Sequence, residues 1–277
     1  MYNFVYDRST PLKLYSRKGT GVPMIVSLSL KLYYMSFYVD ITFCLDISSN
    51  MERIIDNIKN HISELPEFIQ DTYSLEGKTI TNMRAKIMTF GNFDEGTPIS
   101  HSRWFYIKGF DSIHNNKCNK LLVSSISSLS DYESIEFKHF VNNIHLEKNA
   151  TNISNGLEAL SQAIKSDWIS NGEKRRHVIV IYTLNEASKL EESNRTINIY
   201  PNDIPVTLKE LTDTWIYPPS QTEGLTKASK MLIVCAPQNY PWPEIFEAWD
   251  QVTYNPSVKD SFDLFYEDVF NCIFSDI

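Results

Sequence analysis

The hydrophobic positions fall into two kinds of block, and the two alternate along the chain. Predominantly apolar runs occur at Phe37 to Leu45 (FYVDITFCL), His177 to Tyr182 (HVIVIY) and Met231 to Ala236 (MLIVCA). Such β-branched and aromatic runs suit strands of a parallel sheet covered on both faces. Met83 to Phe90 reads as a further strand ended by Gly91, and Arg103 to Ile107 as an edge strand beside it. Met24 to Leu32 and Gln251 to Tyr254 also read as strands.

Between these runs the apolar period lengthens. Ile54, Ile55, Ile58, Ile62, Leu65 and Ile69 recur at helical spacing over Met51 to Tyr73, with Pro66 as an expected break. Thr151 to Trp168 reads as one helix with Ile153, Leu157, Leu160 and Ile164 on a common face. Ser130 to Asn143 opens on a capping signature, Ser130 followed by Glu133. Leu208 to Trp215, Trp242 to Trp249 and Ser261 to Phe274 complete the helices. Strand and helix alternation of this kind predicts an α/β fold: one doubly wound, mostly parallel sheet flanked by helices. The expected division is an N-terminal arm over residues 1–22 and a single domain over 23–277.

Composition narrows the function. A net charge of −8 argues against a general nucleic-acid footprint, and Lys174-Arg175-Arg176 is the one compact basic group. The four cysteines, Cys44, Cys118, Cys235 and Cys272, are widely spaced, with no metal-like pairing, which suits a reduced, intracellular setting. No secretory pattern opens the sequence, and Lys31 and Asp40 interrupt its longest apolar stretch, so a cytoplasmic protein without a membrane span is expected. With 9 glycines, none in the turn Ile47 to Asn50, the chain lacks a phosphate-cradling loop. It also lacks a Gly-x-Ser-x-Gly elbow. His139, His145 and His177 read as surface or core residues, and no enzyme is expected. Tyr240, Trp242 and Trp249 flank prolines and are candidates for a partner surface.

Three stretches should meet at the carboxyl end of such a sheet: Asp46 to Asn50, Ala150-Thr151, and Thr183 to Asn185. Their order resembles a von Willebrand factor A domain, whose metal-ion-dependent adhesion site uses Asp-x-Ser-x-Ser after the first strand. That family adds a Thr or Asp from a second loop and an Asp after a later strand. The segments YYMSFYVDITFCLDISSNM, FVNNIHL, NGLEALSQAIKSDW, RRHVIVIYT and APQNYPWPEIFEAWDQV resemble a bacterial intracellular branch of that family.

The resemblance implies a Mg²⁺ site held by Asp46, Ser48, Asn50 and Thr151, with one position open to a partner's carboxylate. Two departures weaken it: Asn50 replaces the second serine, and Leu184 stands where the last acid is expected. Losing one carboxylate at roughly 4 Å from a dication forgoes about 8 kcal/mol of attraction at an effective dielectric near 20, before desolvation. The expected cofactor is therefore none, or weakly bound Mg²⁺. Local readings stand beside this one: Asp46 and Ser48 as caps of the following helix, and Thr151 as the N-cap of its own.

The function so implied is a non-enzymatic protein–protein interaction module, a scaffold or adaptor with protein partners in a multiprotein system. The competing readings are a Mg²⁺-dependent adhesion module, in which Glu186 or a water replaces the missing acid, and an enzyme with an unrecognised site.

Overall fold

A computed structural model describes residues 37–69, 80–108, 123–148, 151–172, 174–218, 225–256 and 266–274. The expected arm over 1–22 and the strand expected at Met24 to Leu32 lie outside the described residues. In chain order the elements are β1 (Phe37–Asp46), α1 (Ile55–Ser63), β2 (Asn82–Phe90), β3 (Ser100–His101), β4 (Phe105–Lys108) and α2 (Val123–Asn142). They continue with β5 (Ile153–Ser154), α3 (Gly156–Ile164), β6 (Lys174–Tyr182), β7 (Glu186–Ala187) and α4 (Leu208–Ile216). The last four are β8 (Lys230–Ala236), α5 (Trp242–Ala248), β9 (Val252–Pro256) and α6 (Tyr266–Phe274).

The main sheet has the order β3-β2-β1-β6-β8-β9, with β4 also pairing β2. Strands β2, β1, β6, β8 and β9 are parallel, and only the short β3 and β4 run antiparallel. This is the expected α/β architecture. Strand alternation distributes the apolar runs to two cores. Phe43 and Leu45 of β1 join α1, α2 and α6 on one face, while Cys44 joins α3, α4 and α5 on the other. Each fully buried Ile or Leu in these layers contributes about 1.5–3 kcal/mol relative to exposure.

From β1 the chain crosses first to β2 and later returns to the other flank of β1 as β6. The winding therefore reverses between β1 and β6. In open α/β sheets a crevice forms beyond the carboxyl ends of the strands at such a reversal. Asp46 ends β1 and Thr183 follows β6, so both lie at this point.

Several boundaries depart from the pattern. The Met51 to Tyr73 periodicity divides into a 3-10 turn (Ser49–Arg53) that buries Met51, α1 with Ile55, Ile58 and Ile62 buried, and a second helical stretch over 65–69 with Leu65 and Ile69 buried. The break falls at Glu64, just ahead of Pro66. Ser130 is not a cap: α2 is already under way from Val123, and Glu133 instead pairs with Arg103 at 2.6 Å beside β4. The helix expected from Thr151 begins at Gly156, because residues 153–154 pair in parallel with β7 as a small second sheet. Gly156 is required there: a Cβ would stand 2.7 Å from the Trp242 ring.

Candidate functional site

Asp46 is fully buried, and three donors converge on it. The Ser48 main-chain N–H donates to Oδ1 at 2.9 Å, closing the turn after β1. On Oδ2, the Thr183 hydroxyl donates at 2.6 Å and the Asn185 side-chain amide at 2.9 Å. Charge-assisted bonds of this kind are the strong ones in protein interiors. Neither local capping reading holds. Ser48 precedes the 3-10 turn without a side-chain cap bond, and Asp46 is spent on its own turn and on the loop after β6.

Asn185, at 1% exposure, is the hub of the arrangement. Its Nδ2 also donates to the Ser48 hydroxyl at 2.7 Å, and its main-chain N–H donates to the Thr183 hydroxyl at 2.9 Å. Its Oδ1 accepts from the Asn50 side chain at 2.9 Å, and its carbonyl accepts from the Trp242 indole at 3.1 Å. The carboxylate and the hydroxyl fix which way the Asn185 amide faces, since an oxygen turned toward Asp46 would meet only acceptor charge.

The other expected residues are placed as follows. Asn50 joins the cluster as a donor, to Asn185 and to the Thr151 carbonyl at 2.6 Å, not through its oxygen. Thr151 is not an N-cap, and Asn155 occupies that position. The Thr151 hydroxyl turns back to Ile153, so only its carbonyl reaches the site. Leu184 is half-buried against the apolar core. Glu186 does not reach back; its carboxylate accepts from Asn239 at 2.8 Å. Of the aromatics expected at a partner surface, Trp242 and Trp249 are core residues. Trp242 packs on the site loop that it hydrogen-bonds.

The structure brings up one acid that the sequence did not signal. Glu147, whose N–H donates to the Ile47 carbonyl at 2.7 Å, accepts from the Thr97 hydroxyl. Its carboxyl is held above the usual range by burial, by Asp46 and by Glu95. Among the described residues, no three His, Cys, Asp or Glu side chains come together to hold a metal ion.

A second polar cluster lies at the other end of β1. Asp40 and Arg84, both buried, pair through two bonds at 2.9 and 2.5 Å, and the Ile169 N–H adds a third contact to Asp40 at 2.8 Å. The Arg84 guanidinium stacks on Trp104 at 4.6 Å. His177 stands opposite Asp40 in the β1–β6 register and contacts the Ser229 hydroxyl at 3.1 Å. In the basic group ahead of it, Arg175 donates to the Ser170 carbonyl and Arg176 to the Ile273 carbonyl at 2.9 Å, while Lys174 is exposed.

Whether the first cluster fits the divalent cation that the family resemblance implies turns on its donors. Mg²⁺ needs inward-facing oxygens in octahedral array with anionic charge among them. Here Asp46 is the one carboxylate bonded within the cluster, Glu147 being turned to Thr97; the Asp46 Oδ2 already receives two hydrogens, and an amide N–H₂ lies between it and the Ser48 hydroxyl. This donor set does not fit a divalent cation.

No family model matches the chain, and no curated protein does. Among solved structures it is similar to proximal thread matrix protein 1 from the mussel byssus, with a TM-score of 0.47 and 12% identity over 86% of this chain and 46% of that one. A structure of that protein with a zinc-occupied MIDAS motif gives 0.43 and 11% over the same shares, 86% and 46%. The pilus adhesin SpaC from Lactobacillus rhamnosus GG gives 0.33 and 9%, over 54% of this chain and 16% of that one. The chain thus spans less than half the length of these proteins. Likenesses this distant carry no argument about function.

Proposed function

We propose that this chain is a von Willebrand A-like protein-interaction module, without chemistry of its own, acting as a scaffold or adaptor in a multiprotein system inside the cell. The observation that carries the reading is the state of Asp46. A carboxylate with no exposed surface and three donors on it is ill-placed to serve as nucleophile, general base or open ligand. What it does is fasten the loop after β1 to the loop after β6, while Asn50 ties in the segment before β5. A rigid polar rim results, on which Asn152, Ile153, Glu186 and Asn239 are exposed. Rigid presentation lowers the entropy cost of binding.

Three further features are in keeping with the proposal. Cys44, Cys235 and Cys272 form no disulfide among the described residues, and burial pushes the Cys44 and Cys235 thiols up to about 12, so those two behave as inert apolar side chains. No helix among the described residues is long and apolar enough to cross a membrane. The net charge of −8 is out of keeping with a general nucleic-acid footprint.

The test is affinity capture from native cells, with and without EDTA, using the wild type and Ile153→Arg. Partners that remain in EDTA and are lost with Ile153→Arg support the proposal. Partners released by EDTA and by Asp46→Ala, with Ile153→Arg unaffected, would establish the metal-dependent adhesion reading instead. Substrate turnover by the purified chain would establish the enzyme reading.

A further inference from the structure

We infer that Asn185 is an internal substitute for a cation, and that this one side chain keeps the site metal-free. The inference rests on the von Willebrand A-like reading only for the expectation that a cation belongs at this point; whether a partner binds does not enter it.

A cation in such a site would do two things: offset the Asp46 charge, and draw the oxygens after β1 toward the loop after β6. Asn185 does both. Its Nδ2 stands 2.9 Å from Asp46 Oδ2 and 2.7 Å from Ser48 Oγ, oxygens of two of the residues that would hold a metal. The amide is not a passing occupant. Its oxygen is held by Asn50 at 2.9 Å, its main-chain N–H by Thr183 at 2.9 Å, and its carbonyl by Trp242 at 3.1 Å. It is buried to 1% exposure, so water does not compete for these bonds. Thr183 completes the closure, because its hydroxyl accepts from Asn185 while donating to Asp46 at 2.6 Å.

An amide and a carboxylate have nearly the same shape and opposite demands here. Asn185 offers two hydrogens to Asp46 and Ser48, whereas an aspartate at 185 would offer only lone pairs. The substitution would set two carboxylates against each other and supply the second anionic ligand that Leu184 does not. A hard dication then becomes the missing partner, since it favours oxygen ligands carrying charge.

The experiment is thermal unfolding of the whole chain with EDTA, Mg²⁺ or Mn²⁺, on the wild type, Asn185→Asp and Asn185→Ala. The wild type should melt at the same temperature in all three. Asn185→Asp should melt below the wild type in EDTA and gain ~5–10 °C when Mn²⁺ is present at a hundred times its dissociation constant. Asn185→Ala, without the amide or a second carboxylate, should be destabilised and should gain nothing.

Three results would overturn the inference: a cation-dependent rise in the wild type that Asp46→Ala abolishes, a folded Asn185→Asp indifferent to Mn²⁺ and Mg²⁺, or an Asn185→Asp chain that stays unfolded with Mn²⁺ present. Mn²⁺ binding to the wild type, followed by electron paramagnetic resonance, checks the first of these without any variant having to fold.

Discussion

Replacing Asp46 by alanine separates a structural carboxylate from a waiting metal ligand. A carboxylate held ready for a cation is an uncompensated buried charge, so removing it in EDTA should be neutral or stabilising. A carboxylate that fastens loops should be costly to remove in the same buffer. The size of that cost follows from its partners. Asp46 accepts from a main-chain N–H, a hydroxyl and an amide, at 2.9, 2.6 and 2.9 Å. Each bond to a charged group contributes about 1.5–3 kcal/mol, and each buried donor left unpaired costs about 1–3 kcal/mol. Thr183 can rotate its hydroxyl, a water can enter the vacated space, and the desolvation of the carboxylate is recovered. The net loss should therefore be about 3–4 kcal/mol, or roughly 10 °C in melting temperature for a domain of this size. Asp46→Asn, similar in shape, should lose nearly as much, because its N–H₂ would face donors. Urea denaturation followed by tryptophan fluorescence, with EDTA throughout, measures both variants. A loss below about 1 kcal/mol would refute the reasoning.

Two further perturbations test the rest of the polar interior. Arg84→Met should cost about 3–5 kcal/mol by stranding Asp40 in the sheet, while Asp40→Leu combined with Arg84→Met should recover most of it; additive losses in a double-mutant cycle would show that the pair is not coupled. The pH profile of urea midpoints should be the sum of two opposed slopes that overlap between pH 4.5 and 6.5. Burial raises Glu158 from 4.5 to about 7, so its folded form keeps a proton that the unfolded chain gives up, and stability is lost as pH rises through that interval. Burial lowers His61 and His177 from 6.5 to about 4, so the unfolded chain takes protons that the folded one refuses, and stability is lost as pH falls from 6.5 toward 4. Glu158→Gln should remove the first slope and leave the second; parallel profiles for variant and wild type would sink the assignment.

The central strands were legible because they are covered on both faces. A parallel strand inside two helical layers has no solvent side to interrupt it, and FYVDITFCLD, HVIVIY and MLIVCA carry that signature. The meeting of Asp46 and Thr183 at the carboxyl end of the sheet followed from the same alternation, whereas the strand order, with its reversal between β1 and β6, did not. The two-residue strands β3, β5 and β7 were not legible, since two residues have no period. Pairing of β5 with β7 is what moved the start of α3 from Thr151 to Gly156. Ser130 carried a capping pattern inside a helix, where a preceding turn had already supplied the hydrogen-bond partners that a cap provides.

Within the site, Asp46 and the loop after β6 meet, and in that loop the bonds to Asp46 come from Thr183 and Asn185 and not from residue 184, where an acid is expected. Metal ligation is signalled by acids, and Asn185 contributes hydrogens. Asp40 did leave a trace, as the one charge inside the first apolar run, but its partner lies 44 residues away on another strand.

The long reach of the Asp46 bonds also bears on the order in which the molecule assembles. Thr183 and Asn185 lie 137 and 139 residues from their acceptor, so no local segment can form the cluster in advance. Loop closure over such distances is unfavourable until β1 and β6 are already paired, which makes the cluster a late event in folding. The rim it supports would therefore exist only on chains that have completed their central sheet. A partner that reads this surface would, in the same act, be checking that the chain has finished folding.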